Sequence, residues 1–484
     1  MNRRTDSRHP TAAPSRHRAP GSAFRPLETV VLFHVGSLLL LASWAFGGGA
    51  SWARFLLTCW GSLSVLITAA AIRRRARRDE SLRQPLLWLV PFAAFNVLVL
   101  LSCLNPSFSE RVFAGQLLLA HTGADHPGLP STAHAATSRE HLWLFDAIYL
   151  SCFNLVLAIR RRQALRTLLL VGVGNAVLLS ILGTFQKLTS DGLFFGRVPT
   201  PNPRFFSTFV YGNHWAAYIL LLIAACLGLL FYFTRRAPEG HFIRSPVAMG
   251  LIAVLLMAIT PLLAGSRAGT VLVLVLLSAA LVQVLRNLRS ARQNSERSHV
   301  LPAAGLILGV VLALGGGLYL GRSAVQERWH DTEGQWQSGL LNERFKLYSD
   351  SWHLAAEQPW FGWGFGSFDK VFQLTRPRPL EPNRQYEHSY LDAHSDWLQS
   401  LVEVGFVGTA LLIMLVVGPL VSSHKLRYAS ALPAYLLGGC GLILLYAAVE
   451  FPFANPAVMI AFWISFFSAI QYVRLSARIA QRGP

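Results

Sequence analysis

The 484-residue chain is 53% hydrophobic and only 14% charged, which excludes an ordinary soluble domain. Its formal net charge of +19 would suit a nucleic-acid-binding protein. The basic residues, however, lie in short clusters between long apolar runs, so nucleic acid is not expected as a partner. The five cysteines form neither a CxxC pair nor a metal-ligand spacing, so a disulfide framework and a structural zinc are not expected either.

Apolar runs of roughly 17–25 residues recur along the chain, and about 20 residues of helix cross the hydrocarbon core of a bilayer. Because an open sheet cannot satisfy its backbone hydrogen bonds in lipid, these runs predict helices. The predicted fold class is all-α, a polytopic membrane bundle of about twelve transmembrane helices. The predicted spans are 27–47, 52–72, 85–104, 142–159, 167–187, 213–233, 246–264, 269–286, 300–320, 397–421, 432–450 and 456–474.

The spans divide the chain into three parts. Residues 1–26 are rich in Arg, Pro and Ser and predict a disordered basic tail. Residues 27–474 form the transmembrane domain, and residues 475–484 form a second short tail. Within the domain, residues 321–396 form a large, partly helical loop between spans nine and ten.

The basic residues lie mostly on one side of the predicted spans. If the chain starts inside and changes side at every span, the inner side holds 28 of the 43 Lys and Arg but only 6 of the 24 Asp and Glu. Cytoplasmic loops of membrane proteins carry such an excess of Lys and Arg. Both termini are therefore predicted to be cytoplasmic, and the large loop faces the opposite side.

Two shorter loops on that opposite side carry candidate arginines. Residues 196–220 are rich in Pro, Gly and Asn and contain Arg204. Residues 264–270 form a very short turn that places Arg267 at the membrane boundary. An arginine there costs a few kcal/mol unless it finds a partner or water, which makes Arg267 a functional candidate.

The large loop contributes a further arginine and a histidine. Arg344 lies in NERFKLYSDSWHLAAE, where aromatic residues recur every three or four positions, as in an amphipathic helix on a membrane surface. His394 comes shortly before the tenth span, and His388 is an alternative to it. Four carboxylates lie near span ends on the same side: Asp146, Asp396, Glu403 and Glu450.

Four motifs, in this order, resemble those of the O-antigen ligase and polymerase family, over about residues 140–470. The first two are RFFSTFVYGNHWAAYIL, which begins at Arg204, and the turn GSRAG around Arg267. The third is the loop series Arg344, Trp352, Pro359, Gly362, Gly364 and Gly366. The fourth is HSDWLQSLVEVGFVG, from His394, in which Ser395 stands where many members have Asn.

The resemblance implies a metal-independent glycosyltransferase without a cofactor, in the bacterial inner membrane and with its active site facing the periplasm. Such enzymes move a glycan from undecaprenyl diphosphate to an acceptor sugar hydroxyl, on lipid A–core in a ligase or on a growing polysaccharide in a polymerase.

By this resemblance, each candidate residue has an expected role. Arg267, Arg344 and Arg204 would neutralise the diphosphate, because a guanidinium pairs well with phosphate oxygens. His394 would accept the proton of the acceptor hydroxyl or orient that hydroxyl. The carboxylates are possible supporting groups: Asp396, Glu403, Asp146 and Glu450.

Structural interpretations of the same residues remain open. Arg267 would then be an interface arginine, and Arg344 a solvated charge on a helix face. His394 would lie at a helix N-terminus that Ser395 or Asp396 caps. Glu403 is nine residues beyond His394, so on a straight helix it faces away and is interpreted as packing or support rather than as the base.

Two other function classes compete with the enzyme. A transporter of small anions or other solutes shares the twelve-span plan, but it predicts charges near mid-membrane and paired half repeats, whereas the candidate charges lie at one membrane boundary. A scaffold of a polysaccharide-export complex is the third class. The sequence does not distinguish ligase from polymerase or identify the glycan, the oligomeric state or the role of loop 105–141.

Overall fold

The computed structural model describes residues 26–113, 116–123, 126, 128–189, 193–195, 198–200, 202, 204–234, 246–293, 340–375, 390–424 and 430–481. Within these residues, ten helices are long and apolar enough to cross a membrane. The protein is therefore a polytopic all-α membrane protein, as the sequence predicts.

The first nine helices named here match predicted spans one to eight, because α2 and α3 together form the single span Ser51–Ala76. They are α1 (Pro26–Trp44), α2 (Ser51–Ser62), α3 (Ser64–Ala76), α4 (Arg83–Leu104), α5 (Ala135–Ala158), α6 (Arg162–Thr189), α7 (Gly212–Thr234), α8 (Pro246–Leu263) and α9 (Arg267–Gln293). A short 3₁₀ turn, Phe46–Gly48, follows α1.

The second half contributes two helices of the large loop and three predicted spans. They are α10 (Leu340–Glu357), α11 (Phe368–Thr375), α12 (Asp396–Ser423), α13 (Ala431–Tyr446) and α14 (Pro456–Gln481), with a 3₁₀ turn at Pro452–Ala454. The predicted span 300–320, the N-terminal tail 1–25 and His388 lie outside the described residues.

Two helix ends differ from the predicted ones. Helix α5 begins at Ala135 rather than 142. The polar residues 137–141 lower the hydropathy below that of a span, but they are compatible with a helix. The His134 side chain caps this helix by accepting from the Thr137 amide. Helix α14 continues to Gln481, past the predicted span end at 474. Its last turn contains Arg478, a favourable position for a cation at a helix C-terminus.

Two small antiparallel hairpins accompany the helices in the described residues. Strands β1 (Phe108–Phe113) and β2 (Gln116–His121) pair within loop 105–141, for which the sequence predicted no structure. Strands β3 (Leu193–Phe194) and β4 (Val198–Pro199) form the second, in the loop before α7.

Helices α7 and α14 form the interior of the bundle. In their most apolar windows 89% and 94% of residues are buried, against 22–50% in several outer helices, so these two are surrounded by protein rather than lipid. Small residues allow the close approach. A Cβ on Gly228 of α7 would come within 2.8 Å of the Leu432 side chain of α13, and one on Gly439 within 2.7 Å of Ala224.

Helix α12 bends at Gly405, and the glycine-rich segment 359–364 docks at the bend. The amides of Trp363 and Gly364 donate to α12 carbonyl oxygens at 2.9 and 2.7 Å, and two α12 amides after the bend donate back at 2.8 and 3.1 Å. The bend frees these backbone groups from the helix, and the segment satisfies them again.

Glycine is required at this contact on both sides. Gly405 has a φ of +62°, and a Cβ there would lie 2.4 Å from the carbonyl carbon of Trp360. Gly362 has a φ of +68°, and its Cβ would lie 2.4 Å from the carbonyl carbon of Glu403. Any side chain would therefore push the segment away from α12.

Substitution of Gly405 by alanine should destabilise the protein by about 1–3 kcal/mol from backbone strain alone, with the steric clash adding to it. Gly438→Ala is the matched control, because Gly438 is exposed in α13 with nothing within 4 Å of a Cβ. That change should be neutral or stabilise by up to about 1 kcal/mol. Thermal unfolding in detergent measures both, and equal melting temperatures for the two variants would contradict the docking argument.

Candidate functional site

One end of the bundle gathers the loops that contain the predicted site residues. We call it the loop end; it comprises the N-termini of α7, α9 and α12, helix α10 and the connection from α13 to α14. At the opposite end, α3, α5 and α14 finish close together, since Arg75 donates to the Leu157 carbonyl and Gln471 to that of Ile159. We call this the basic end.

The carboxylate of Glu450 is the centre of the loop end. Its side chain is 5% exposed. Oε1 accepts from Asn213 Nδ2 at 2.8 Å and from Arg344 Nη2 at 3.3 Å. Oε2 faces His394 Nδ1 at 3.9 Å. One buried carboxylate thus contacts α7, α10 and the segment that precedes α12.

His394 is held in a strained backbone conformation beside this carboxylate. Its φ is +52°, which is uncommon for a residue other than glycine. The Tyr348 hydroxyl donates to the His394 carbonyl oxygen at 3.1 Å, and the imidazole packs edge-on against Phe451, with ring centroids 4.7 Å apart. Strain of this kind persists where surrounding contacts fix it, and it concentrates at functional sites.

Ser395 caps helix α12, and His394 does not. The Ser395 hydroxyl accepts from the Leu398 amide at 3.3 Å. Asp396, the other candidate cap, instead accepts from the Phe453 amide at 2.9 Å, and its own amide donates to the Glu450 carbonyl. The His394 imidazole is therefore not used for helix capping.

His394 Nδ1 and Glu450 Oε2 are both buried, and neither has a hydrogen-bond partner within the described residues. Their separation of 3.9 Å is longer than a hydrogen bond, which rarely exceeds about 3.2 Å for such a pair. Catalytic hydrogen bonds are often this long before substrate binds, so a small movement would join the two groups.

Arg344 projects from α10 with its side chain half exposed. Partial burial opposes its charged form, but Glu450, Tyr211 and Tyr348 together act in the opposite direction, so the pKa of Arg344 is raised. The arginine is therefore fixed by Glu450 on one side and open to solvent on the other. Such a guanidinium can receive an anion without first leaving its partner.

The loops of Arg204 and Arg267 meet at Gly212. A Cβ on Gly212 would lie 2.3 Å from the Ala264 carbonyl oxygen and 2.8 Å from that of Arg204. Arg267 is the first residue of α9, and both arginine side chains are exposed. The preceding Ser266 lies 3.3 Å from the Tyr446 hydroxyl at the end of α13.

Tyr211 links these loops electrostatically to the buried carboxylate. Burial, and next the charge of Glu450, raise the pKa of Tyr211 to about 12, while Arg344 and Arg204 act in the opposite direction. Its hydroxyl accepts from Asn213 at 2.9 Å. Arg204, Arg344 and Glu450 therefore all lie within electrostatic range of one phenol.

Glu403 lies apart from this cluster and contacts the residues that follow the glycine-rich segment 359–364. It is 5% exposed. Its carboxylate accepts from the amides of Gly366 and Phe368, at 2.8 and 3.4 Å, and from Gln399 at 3.0 Å. Glu403 is thus bonded to two backbone amides and one glutamine side chain, and its role as a supporting group stays a prediction.

Asp146 lies farther along its helix than the sequence indicated, because α5 begins earlier than predicted. It lies midway along the 24-residue α5, where it accepts from Asn96 of α4 at 3.0 Å. Asp146 is therefore placed inside a membrane span, whereas Glu450 lies among the loops. Of the two carboxylates considered as partners for the arginines, Glu450 is the one that contacts Arg344.

A cavity of about 500 Å³ lies on the other side of the segment 390–396. It follows α12 from Asp396 to Val417, and Arg344, His394 and Glu450 do not line it. Part of its lining is apolar and includes Ile413, Val416 and Trp463. The polar and charged lining residues are Arg54, His141, Asp369, Asp392, Asp396, Gln399 and Glu403.

Sequence reasoning did not identify three residues of this region: Asn213, Tyr348 and Asp392. Asn213 occupies the Asn position of the first motif, which was a usable signal. Tyr348 was noted for its helical spacing only, and Asp392 has no motif of its own. In the part of the chain that the structure describes, no group of three or more His, Cys, Asp or Glu is placed to hold a metal ion.

Comparison with known families agrees with the motifs. A family model described as O-antigen ligase matches residues 252–413, about one third of the chain. The matched segment includes Arg267, Arg344 and His394. No curated protein matches the chain.

Replacement of Glu403 by alanine should loosen the residues that follow the glycine-rich segment. The Gly366 and Phe368 amides would be left without their acceptor, which costs about 1–3 kcal/mol for each buried donor. Hydrogen exchange of peptides covering 362–368 should accelerate by about tenfold or more. Glu357→Gln, at an exposed position at the end of α10, is the control and should leave exchange unchanged. Unaltered protection in the Glu403 variant would mean that the backbone contacts alone hold the segment.

The stability of the protein should depend on pH through Asp392. Burial raises the pKa of Asp392 above its usual 3.8, although His394 acts in the opposite direction. Because the folded pKa is the higher one, the contribution of Asp392 to stability is complete below the unfolded pKa and is lost as pH rises through the folded pKa.

Asp392→Asn should therefore raise the melting temperature at about pH 8, and the gain should shrink to nothing below about pH 4. Asp79→Asn is the matched control, since Asp79 is exposed at the basic end. Melting curves of both variants across this range give the answer. A gain for Asp392→Asn that is the same at every pH would contradict the role of its ionisation.

Proposed function

We propose that this protein, whose residues 252–413 belong to the O-antigen ligase family, transfers a glycan from undecaprenyl diphosphate to an acceptor sugar hydroxyl. The membrane-embedded ligase or polymerase role follows from the family. The donor, the acceptor, the inner membrane and the periplasmic orientation are part of the proposal. The observation that carries it is the arrangement of Arg344 and His394 around one buried carboxylate, Glu450.

The arginines of the loop end support binding of the donor diphosphate. When the glycosidic bond breaks, negative charge develops on the leaving diphosphate, and guanidinium groups stabilise it without a divalent ion. Arg344 is held ready by Glu450 and keeps one side open. Arg204 and Arg267 are exposed at the same end of the bundle. Together they can surround a diphosphate at the membrane surface.

His394 is the proposed base. Since Nδ1 faces Glu450, Nε2 is the nitrogen left for the acceptor hydroxyl. A carboxylate that accepts from Nδ1 fixes the tautomer in which Nε2 can take a proton, as in other histidine–carboxylate pairs. The acceptor oxygen then forms its bond to the anomeric carbon as the bond to the diphosphate breaks. The hydroxyl proton goes to Nε2, and the bonding electron pair leaves with the diphosphate.

The cavity along α12 supports separate places for donor and acceptor. Its polar lining has four carboxylates against one arginine, which disfavours a diphosphate there. Carboxylates accept hydrogen bonds from sugar hydroxyls, and the apolar part of the lining suits a lipid chain. We assign the donor diphosphate to the arginine side of the segment 390–396 and the lipid-linked acceptor to the cavity side.

The test is transfer by the reconstituted full chain from a purified undecaprenyl-diphosphate-linked glycan, with EDTA present. His394→Ala should lower the rate by about 10²–10⁴-fold, the usual contribution of a positioned base. Arg344→Ala and Arg267→Ala should weaken donor use. Arg286→Gln, at an exposed position near the end of α9, is the control and should keep full activity.

The acceptor consumed distinguishes the two family activities. Growth on lipid A–core identifies a ligase, and growth on a second carrier-linked repeat identifies a polymerase. Solute flux in the same proteoliposomes without glycan transfer to either acceptor would refute the enzyme and leave a transporter. Full transfer by His394→Ala would refute the base.

A further inference from the structure

Arginines from three elements converge at the basic end, far along the bundle from the proposed active site. Arg75 lies at the end of α3, Arg160 follows α5, and Arg474 and Arg478 lie in the last turns of α14. The glycan-transfer proposal uses none of them. Two of them are buried, and the positive-inside rule does not account for buried arginines, since it concerns the charge of loops.

Arg75 is almost completely buried, with 1% of its surface exposed. Its Nε donates to the Leu157 carbonyl oxygen at 2.8 Å, and its Nη2 donates to that of Val156 at 2.9 Å. These bonds satisfy the last carbonyls of α5. The remaining nitrogen, Nη1, is buried without a hydrogen-bond partner in the described residues.

Arg474 of α14 is a second buried arginine with an unsatisfied nitrogen. It is 9% exposed, its Nη2 donates to Gln84 Oε1 at 3.3 Å, and its guanidinium stacks on the Trp88 ring at 4.8 Å. Its Nη1 is also buried without a partner in the described part of the chain. Two guanidinium groups from different helices thus each keep one charged N–H donor unsatisfied.

The charges around these two groups are mostly of the same sign. Arg75 lies within electrostatic range of Arg160 and Arg478, and Arg474 lies within range of Arg75 and Arg478. The nearby carboxylate of Glu80 forms an ion pair with Arg160, and the carboxylate of Glu28 accepts from the Arg160 backbone amide at 2.6 Å. Both carboxylates are thus engaged at residue 160, and an anion beside the two buried guanidinium groups would compensate their charge.

We propose that this cluster binds a phosphate group, with Arg75 Nη1 and Arg474 Nη1 as the buried donors and Arg478 at the entrance. A phosphate offers several acceptor oxygens and matches the guanidinium fork. The two buried arginines lie toward the ends of helices that are long and apolar enough to cross a membrane. The anionic phospholipids of a cytoplasmic leaflet and free phosphate are the two sources of this chemistry.

The test measures lipid binding to the purified full chain in a neutral detergent by native mass spectrometry. Dioleoylphosphatidylglycerol is the probe, and dioleoylglycerol, which lacks the phosphate, is the reference. Arg474→Gln and Arg478→Gln should each weaken phosphatidylglycerol binding by about tenfold, the loss expected for a charge-assisted bond. Arg286→Gln, an exposed arginine at the same predicted side, is the control and should bind as the parent does.

Arg75 is left unchanged because it also caps α5, so its loss would confuse folding with binding. Arg474→Lys provides a second check, since it keeps the charge but not the fork and should recover part of the affinity. Thermal stabilisation by inorganic phosphate, with displacement of phosphatidylglycerol, would identify free phosphate as the ligand. Stabilisation by phosphatidylglycerol alone would identify the headgroup.

Two results would overturn the proposal. One is equal binding of dioleoylglycerol and phosphatidylglycerol, with no effect of inorganic phosphate. The other is that Arg474→Gln and Arg478→Gln bind both phosphate probes as well as Arg286→Gln does. Neither result bears on glycan transfer, because the substituted residues lie at the end of the bundle opposite His394 and Glu450.

Discussion

The buried carboxylate of Glu450 is the interaction on which the loop end depends. A carboxylate removed from water is costly unless it is paired and hydrogen-bonded. Here its partners come from elements far apart in the chain: Asn213 at the start of α7 and Arg344 on α10, with His394 facing it before α12. The need to pair one charge therefore fixes the positions of His394 and Arg344 relative to each other, the two residues proposed as base and phosphate ligand.

A second constraint, made by backbone hydrogen bonds alone, holds the elements around Glu450 in place. The bend at Gly405 leaves α12 amides and carbonyl oxygens without partners in the helix, and the segment 359–364 forms hydrogen bonds with them. This segment follows α10 directly, so its docking fixes the helix that carries Arg344. Glu403 adds a contact just after the segment, where its carboxylate accepts from the Gly366 amide. The glycines allow this close contact, and they affect the site by fixing the position of α10.

The sequence was sufficient for the helices because span length and hydropathy are local properties. It also singled out Arg344 and His394 through the motifs that contain them; the structure places both beside Glu450, and their roles stay predictions. It did not distinguish Glu450 from Asp146, because their roles depend on partners 106 residues away in one case and 50 in the other. The bend at Gly405, the strained His394 and the cavity wall at Asp392 arise from packing between distant segments, which periodicity does not report.

The arginines at the two ends of the bundle differ in burial and in their partners, and this difference separates the proposed roles of the two ends. At the loop end, Glu450 pairs with Arg344 and leaves half of that side chain in solvent. In the proposed reaction, a diphosphate would therefore bind and leave without breaking the ion pair, as turnover requires. At the basic end, Arg75 and Arg474 are bound to neutral carbonyl and amide oxygens and keep unsatisfied donors. An anion held there would compensate buried charge, so its release would be costly, and a permanently bound group suits that position better than a substrate.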